Sequence, residues 1–420
     1  MQHVLISLVG IAVLLGIAIL LSDNRKAIKL RTVGGAFAIQ AGIGAFVLYF
    51  PAGQYVLEGI TNGVNAIMEY ASNGIGFLFG DLANFKLGFI FAVHVLSVII
   101  FFASLVAVLY YLGIMQIVIK LFGGALRKVL GTSRTESLSA AANVFVGQTE
   151  APLLVRPFIS RMTQSELFAV MVGGLASVAG AVMVGYASMG VELKYLIAAS
   201  FMAAPGGLLM AKIIKPETET PNDDIDDIEE ESADEKPANV FDAAASGAAN
   251  GLKLAAMIGA MLLAFISLIA MANGLLGWAG GWFGYPDLTI ELILGYVFSP
   301  LAYVIGVPWS EALTAGSFLG QKVIVNEFVA FSSLANYIDP EAAAKAGVEL
   351  LSDRSQAILT FALCGFANIS SIAILLGGLG SMAPSRRHDI ARFGLKAVVA
   401  GTLSNLMSAT IAGLFLTLAI

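Results

Sequence analysis

The sequence predicts an all-α polytopic membrane protein, with eight transmembrane helices plus two opposed re-entrant hairpins in an inverted repeat and interfacial helices beside them. Three observations carry this expectation. The 420 residues are 58% hydrophobic and only 12% charged, more apolar surface than a water-soluble fold buries. Apolar runs close to the roughly 20 residues that cross a bilayer recur from one end to the other. Two further apolar stretches, 136–160 and 297–335, contain Gln, Glu, Asn, Pro and Lys, which at membrane depth must face a cavity or other protein. The 45 glycines suit close helix packing and interrupted helices in lipid.

The elements follow in order. Residues 4–21 begin almost at the first residue, with no basic leader and no small-residue cleavage site, and read as a retained spanning helix. Residues 33–50 are the second span. Over 54–80, Gly and Asn alternate with apolar residues around Glu58 and Glu69, as in an interfacial helix. The third span, 88–112, completes a scaffold block over 1–112. The next block, 113–214, holds the hairpin 136–160, a glycine-interrupted helix 165–190 and a span 193–214. Residues 215–240 form an acidic loop. Within it, 216–237 carry eleven acids and one base, so this run takes −10 of the net charge of −6 and leaves the rest of the chain at +4. Such a run reads as a solvated, disordered loop, and no nucleic-acid partner is expected. Residues 241–296 supply a scaffold helix around 250–277 and an interfacial segment. The last block, 297–420, holds the hairpin 297–335, an interrupted helix 355–380 and a final span 394–419, with a polar external insertion near 339–354.

Lys and Arg give the orientation. Arg25, Lys26, Lys29 and Arg31 follow the first span; Lys120, Arg127, Lys128 and Arg134 follow the third. Arg156 and Arg161 follow the first hairpin, Lys212 and Lys215 the fifth span, and Arg386, Arg387 and Arg392 precede the last. All fall on one side if both termini lie outside the cytoplasm. The first hairpin then enters from the cytoplasm and the second from outside.

Two related blocks stand in the two halves. The first is Asn143-Val-Phe-Val-Gly147-Gln148-Thr149-Glu150, followed by a helix with Gly173-Gly-Leu-Ala-Ser177. The second is Gly320-Gln321-Lys322-Val-Ile-Val-Asn326-Glu327, followed by Gly365-Phe-Ala-Asn368-Ile-Ser-Ser371. Paired, interrupted hydrophobic segments in corresponding halves point to the binding site of a secondary transporter. Each block contains a glutamate that looks buried, and intramembrane carboxylates are costly enough to be functional candidates. The alternative is that each carboxylate only holds a hairpin tip together through loop amides. Gln148, Thr149 and Glu150 suit the edge of a nucleobase, and Asn326, Glu327, Asn368 and Ser371 suit vicinal hydroxyls. By themselves these groupings indicate a site for a polar uncharged ligand. Asn143, Ser177 and the carbonyls around Val146 offer the oxygens a sodium ion prefers, or equally they cap and kink helices.

Other residues read more plainly. Cys364 is a small packing residue, and as the single cysteine it excludes an intrachain disulfide. His94 is expected to be a packed helix residue. Lys322 either reaches Glu311, three turns away on one helix, or snorkels to an interface. Trp278, Trp282 and Trp309 fit an aromatic belt. An intramembrane enzyme is disfavoured, because no His-Glu-x-x-His, no Gly-x-Ser-x-Gly and no Asp-rich pair occurs in the spans. Proton coupling through Glu150 is the nearer rival to sodium.

At these motifs the chain resembles the concentrative nucleoside transporter family, over essentially its full length. The motifs are Gly147-Gln-Thr-Glu-Ala-Pro-Leu, Gly173-Gly-Leu-Ala-Ser-Val-Ala-Gly, Val325-Asn-Glu-Phe-Val-Ala, Cys364-Gly-Phe-Ala-Asn-Ile-Ser-Ser-Ile-Ala and Gly377-Gly-Leu-Gly. The resemblance is to bacterial sodium-coupled members. It implies sodium–nucleoside symport at the inner membrane, a homotrimer, and an elevator-type movement of a transport domain against a scaffold. It implies that Gln148, Thr149 and Glu150 face the base with Val182 and Phe366 as apolar contacts. Glu327, Asn368 and Ser371 would face the ribose, with Asn326 in support. Asn143, Ser177 and the carbonyls of Val146 and Val178 would hold sodium; no other cofactor is implied. One segment departs from the family pattern: His94 and Ser97 stand where many members have a basic or amide residue and a proline.

Overall fold

The computed structural model describes residues 2–84, 88–222 and 237–419. These residues are helical throughout, without strands, as the composition requires when backbone groups must be satisfied inside lipid. Helices α1 (Gln2–Leu20) and α2 (Leu30–Leu48) are followed by α3 (Pro51–Phe79), with Pro51 in its first turn where no amide hydrogen is needed. A π turn over Ala92–Leu96 leads into α4 (Ser97–Tyr111). His94 lies in that turn, buried, with its Nδ1 3.0 Å from both the amide nitrogen and the carbonyl oxygen of Ile90. Helix α5 (Ile114–Leu130) is bracketed by left-handed Gly113 and Gly131.

The chain then runs through α6 (Arg134–Ala142), the turn 143–150, a 3-10 turn and α7 (Arg156–Ile159). The expected interrupted helix is α8 (Gln164–Ala176) and α9 (Gly180–Ala187), and α10 (Leu193–Ile214) follows. Reciprocal Ser133/Glu136 and Thr163/Glu166 caps start α6 and α8.

Helix α11 (Val240–Gly281) has 42 residues and spans about 63 Å at the usual helical rise, well beyond the expected 250–277. It packs along α4 through small residues. A Cβ on Gly247 would stand 2.6 Å from Ala107 Cβ, and one on Gly251 would stand 2.8 Å from Ala103 Cβ. Ser104 Oγ donates to Ala244 O at 2.8 Å on the same seam. Close backbone approach of this kind drives helix pairing in lipid. Gly251→Leu is therefore expected to part the two helices and destabilise the fold by about 1–3 kcal/mol. A melting curve in detergent reads this, and an unchanged midpoint would count against the seam.

The C-terminal part continues with α12 (Ile290–Val304), α13 (Trp309–Ile324), α14 (Glu327–Ala335), α15 (Pro340–Ala346), α16 (Asp353–Leu363), α17 (Ser371–Met382) and α18 (Arg387–Leu418). Here the expected boundaries need correction. The hairpin assigned to 297–335, and the segment boundary at 296, cut through α12. That helix ends at Val304; the chain turns at Gly306, whose φ is +109°, and Pro308 stands at the N-cap of the next. The arm begins at Trp309, and α12 and α13 meet at 117°.

Among the described residues, seven helices are long and apolar enough to cross a membrane, or up to eight if the bent α12–α13 pair is one span. The α16–α17 unit expected at 355–380 is not among them, because it is broken over 364–370 and α17 alone has 12 residues.

The basic loops meet at one end of the bundle. Asp23 pairs with Lys396 and, at 3.2 Å, with Lys215. Partial burial raises its carboxyl pKa, but the two ammonium groups outweigh that and hold it below the usual value. Arg31 donates to Lys128 O at 3.2 Å, Arg386 to Met162 O at 2.5 Å, and Arg392 to Gln164 Oε1 at 3.2 Å. Buried Lys212 pairs with Glu136 at 2.5 Å. The start of the acidic loop is tied to the fold at one point: Glu217, partly buried, accepts from Thr163 Oγ1 at 2.8 Å, while 218–220 are exposed. The rest of that loop, 223–236, lies outside the described residues.

Candidate functional site

The two helix breaks, 177–179 and 364–370, cross in the buried centre of the fold. Phe366 N–H donates to Ser177 O at 3.1 Å, joining them directly. A turn from each of the two polar blocks reaches a break. Gly180 N–H donates to Phe145 O at 2.9 Å, and Ile369 N–H donates to Val323 O at 3.1 Å. Backbone groups that a continuous helix would consume internally are thereby turned toward one place.

Glu327 opens α14 and is buried. Its Oε1 accepts from Tyr186 OH at 3.2 Å, and its Oε2 accepts from Asn368 Nδ2 at 3.0 Å. Asn368 Oδ1 takes the Ser371 amide at 2.8 Å and Ser370 Oγ at 2.7 Å. Gln148 Nε2 stands 3.5 Å from Ser371 Oγ, so the first block touches the second across 223 residues of chain. Asn326 Oδ1 accepts the Val329 amide at 2.9 Å: it caps α14 and sets the position of Glu327. Thr149 lies on Gly378 of α17, where a Cβ would be 3.0 Å from its Cγ2. Val182 is buried and Phe366 is partly buried.

Glu150 departs from expectation. It is exposed, and its Oε2 accepts the Gly147 amide at 2.6 Å, so the tip amide holds the carboxylate while its outer side stays open. Only Glu327 is the buried carboxylate that both blocks were expected to show.

Asn143, Val146, Ser177 and Val178 are all buried. Asn143 lies over α8, with its Nδ2 3.1 Å from where a Cβ on Gly173 would be, and Ser177 Oγ donates to Gly173 O at 3.0 Å. The two side chains therefore converge on one glycine. Among the described residues, neither polar atom of the Asn143 side chain has a hydrogen-bond partner, and neither does Gln148 Oε1. Buried polar atoms are otherwise nearly always paired, so these are free to meet a water or a ligand. The carbonyls flanking Val146 and Val178 are engaged, Phe145 O by Gly180 and Ser177 O by Phe366. Neutral oxygens with one orphaned amide fit a hard monovalent cation, and no group of three or more His, Cys, Asp or Glu able to hold a metal occurs among the described residues.

The sequence reading did not single out Tyr186, which touches Glu327, or Asn405, which lies behind the breaks, and it placed Lys322 elsewhere. Lys322 is 1% exposed and reaches neither Glu311 nor an interface; Glu311 instead binds Ser352. The Ser404-Asn405 pair inside an apolar helix was a usable signal, since polar residues there need a reason. Tyr186 gave none.

Comparison with known proteins gives the family. The model for the Na+ dependent nucleoside transporter C-terminus matches residues 195–413, that for the N-terminus matches 9–82, and a model described as nucleoside recognition matches 92–192. Nucleoside permease NupC of Helicobacter pylori is 53% identical over 420 residues, spanning 99% of this chain and 98% of its own. A solved structure of CNTnw in an inward-facing, substrate-bound state is 60% identical, with TM-score 0.94 over 99% of this chain and 98% of that one. A doubly substituted CNTnw in an outward-facing state is also 60% identical, with TM-score 0.96 over 99% of each chain. A multi-pass helical chain matched over nearly its whole length by nucleoside permeases and by transporter structures facing either way belongs to the Na+-dependent, concentrative nucleoside transporter family, and it is a transporter rather than an enzyme.

Proposed function

We propose that this protein couples sodium entry to nucleoside uptake across a bacterial inner membrane, with uridine-type nucleosides as substrates. The observation that carries the reading is Asn143, whose two side-chain polar atoms are buried beside Ser177 without hydrogen-bond partners among the described residues. Sodium would be held by Asn143 Oδ1, Ser177 Oγ and the carbonyls of Val146 and Val178. Gln148, with an unpartnered Oε1, would read the base together with Thr149 and Glu150, against the apolar walls of Val182 and Phe366. Glu327, fixed by the Asn326 cap, would accept from a ribose hydroxyl, with Asn368 and Ser371 beside it. Ion and nucleoside sites then share the tip 143–150, so filling one orders the other.

Burial supports an elevator. Within the apolar 18-residue stretch of each, 89% of the residues are buried in the α8–α9 unit and 94% in α10, against 22% in α1, 22% in α2 and 17% in α11. The first group is a packed transport core, and the second is a scaffold whose free faces suit lipid and the neighbours of a homotrimer. The two tips act as gates on opposite sides, within eight spans and two re-entrant hairpins. The convergence of basic loops supports a cytoplasmic location for that end, with both termini outside the cytoplasm.

Reconstituted into liposomes, the protein is expected to concentrate labelled uridine only under an inward sodium gradient. Uptake driven by a pH gradient in sodium-free medium would replace sodium with protons in this scheme. Enzyme-like turnover of the nucleoside is not expected.

A further inference from the structure

We infer that Lys322 and Asn405 are positioning residues that couple the ion half of the site to the sugar half; this rests on the sodium–nucleoside reading above. Lys322 Nζ donates to Ala362 O at 2.8 Å and to Asn405 Oδ1 at 2.7 Å. Asn405 Nδ2 donates to Ala176 O at 2.6 Å and to Cys364 O at 3.0 Å. The amide orientation follows from chemistry. An ammonium only donates, so the Asn405 oxygen must face it; carbonyls only accept, so the NH2 must face them. Asn405 therefore uses its oxygen and both amide hydrogens.

Each of those carbonyls has the same origin. Ala176 is the last residue of α8, Ala362 is in the last turn of α16, and Cys364 stands just past it. Both half-helices end there with carbonyls that no helical amide can take. The negative ends of their dipoles point at the same spot, which favours a cation. One asparagine and one lysine, both buried, thus cap the two interrupted helices together.

The cap lies between the proposed sites. Ser177 and Val178 follow Ala176 directly, and Phe366 and Asn368 follow Cys364 by two and four residues. Lys322 belongs to α13, whose next turn carries Val323 to Ile369 and whose tip leads to Glu327. Helix α18 is seated hard against both breaks. A Cβ on Gly401 would stand 3.0 Å from Leu175 Cβ and 3.1 Å from Ala367 Cβ, and one on Gly365 would collide with the Asn405 amide. A shift of either break therefore moves the shared cap, and with it the other break and the second hairpin. Coupling between sites needs such a shared element whose position both ligands bias.

The test is a ratio. Uridine affinity of the purified full-length protein is measured by calorimetry in choline and in saturating sodium. For the unsubstituted protein the ratio is expected at roughly 5–150, the usual span for coupled sites. In Lys322→Met and in Asn405→Ser it is expected to fall to within about twofold of one, with the choline affinity near that of the unsubstituted protein. Lys322→Arg, which keeps the cation and its donors, is expected to restore most of the ratio. A variant that weakens binding equally in both media has only damaged the site, and that outcome overturns the inference, as does an unchanged ratio in folded protein. Should Lys322→Met not fold, Asn405→Ser gives the same reading. A ratio of one in the unsubstituted protein would instead sink the sodium mechanism itself.

Discussion

Replacing Glu327 with Gln is expected to reduce nucleoside uptake at low substrate by about 10- to 100-fold, because a hydrogen bond to a charged group is worth roughly 1.5–3 kcal/mol. The substitution is nearly isosteric, so packing around α14 is kept. What changes is the acceptor. The carboxylate takes Tyr186 OH and Asn368 Nδ2, which leaves lone pairs for a ribose hydroxyl in a place where water cannot compete. Glutamine offers one oxygen, already claimed, and an NH2 that would face the donor of Asn368 or Tyr186. The loss should appear in substrate affinity, with the melting midpoint little changed. Tyr186→Phe removes one of the two donors and keeps the charge, so its effect should be smaller. Near-normal uptake by Glu327→Gln would refute the ribose role.

Asn143→Leu is expected to abolish sodium stimulation of uptake and leave a small sodium-independent residue. The leucine fills much the same volume against Gly173 while removing an amide whose polar atoms have no protein partner. Losing an unpaired buried amide does not destabilise the fold in the way that losing a bonded one would. Purified Asn143→Leu should therefore be as stable as the unsubstituted protein in sodium-free buffer, and unlike it should gain no stability when sodium is added. A sodium-dependent rise in the melting midpoint retained by the variant would remove Asn143 from the ion site.

The polar residues were legible because the bilayer makes them conspicuous. Gln148 and Glu327 stand out in apolar runs, and Asn368 and Ser371 stand out in a helix that glycine interrupts. The basic loops were legible for the same reason, and the fold ties them together through Asp23, Arg31, Arg386 and Arg392. The caps Ser133-Arg-Thr-Glu136 and Thr163-Gln-Ser-Glu166 were also readable as the starts of α6 and α8. Boundaries were less so. Apolar periodicity does not separate α12 from α13, since both are apolar and only the Gly306 to Pro308 turn divides them.

Composition and local pattern alone determined an all-helical membrane protein with interrupted helices and singled out its candidate polar residues, because lipid penalises each exposed polar group where it stands. Partnership was decided by the tertiary structure. It buries Glu327 and leaves Glu150 open, takes Lys322 away from Glu311 to Asn405, and brings Tyr186 onto a carboxylate 141 residues distant. Hydrogen bonds depend on distances of a few ångströms between groups far apart in the chain, and no local pattern encodes those; only the packing of α8, α13, α16 and α18 around two crossed breaks sets them.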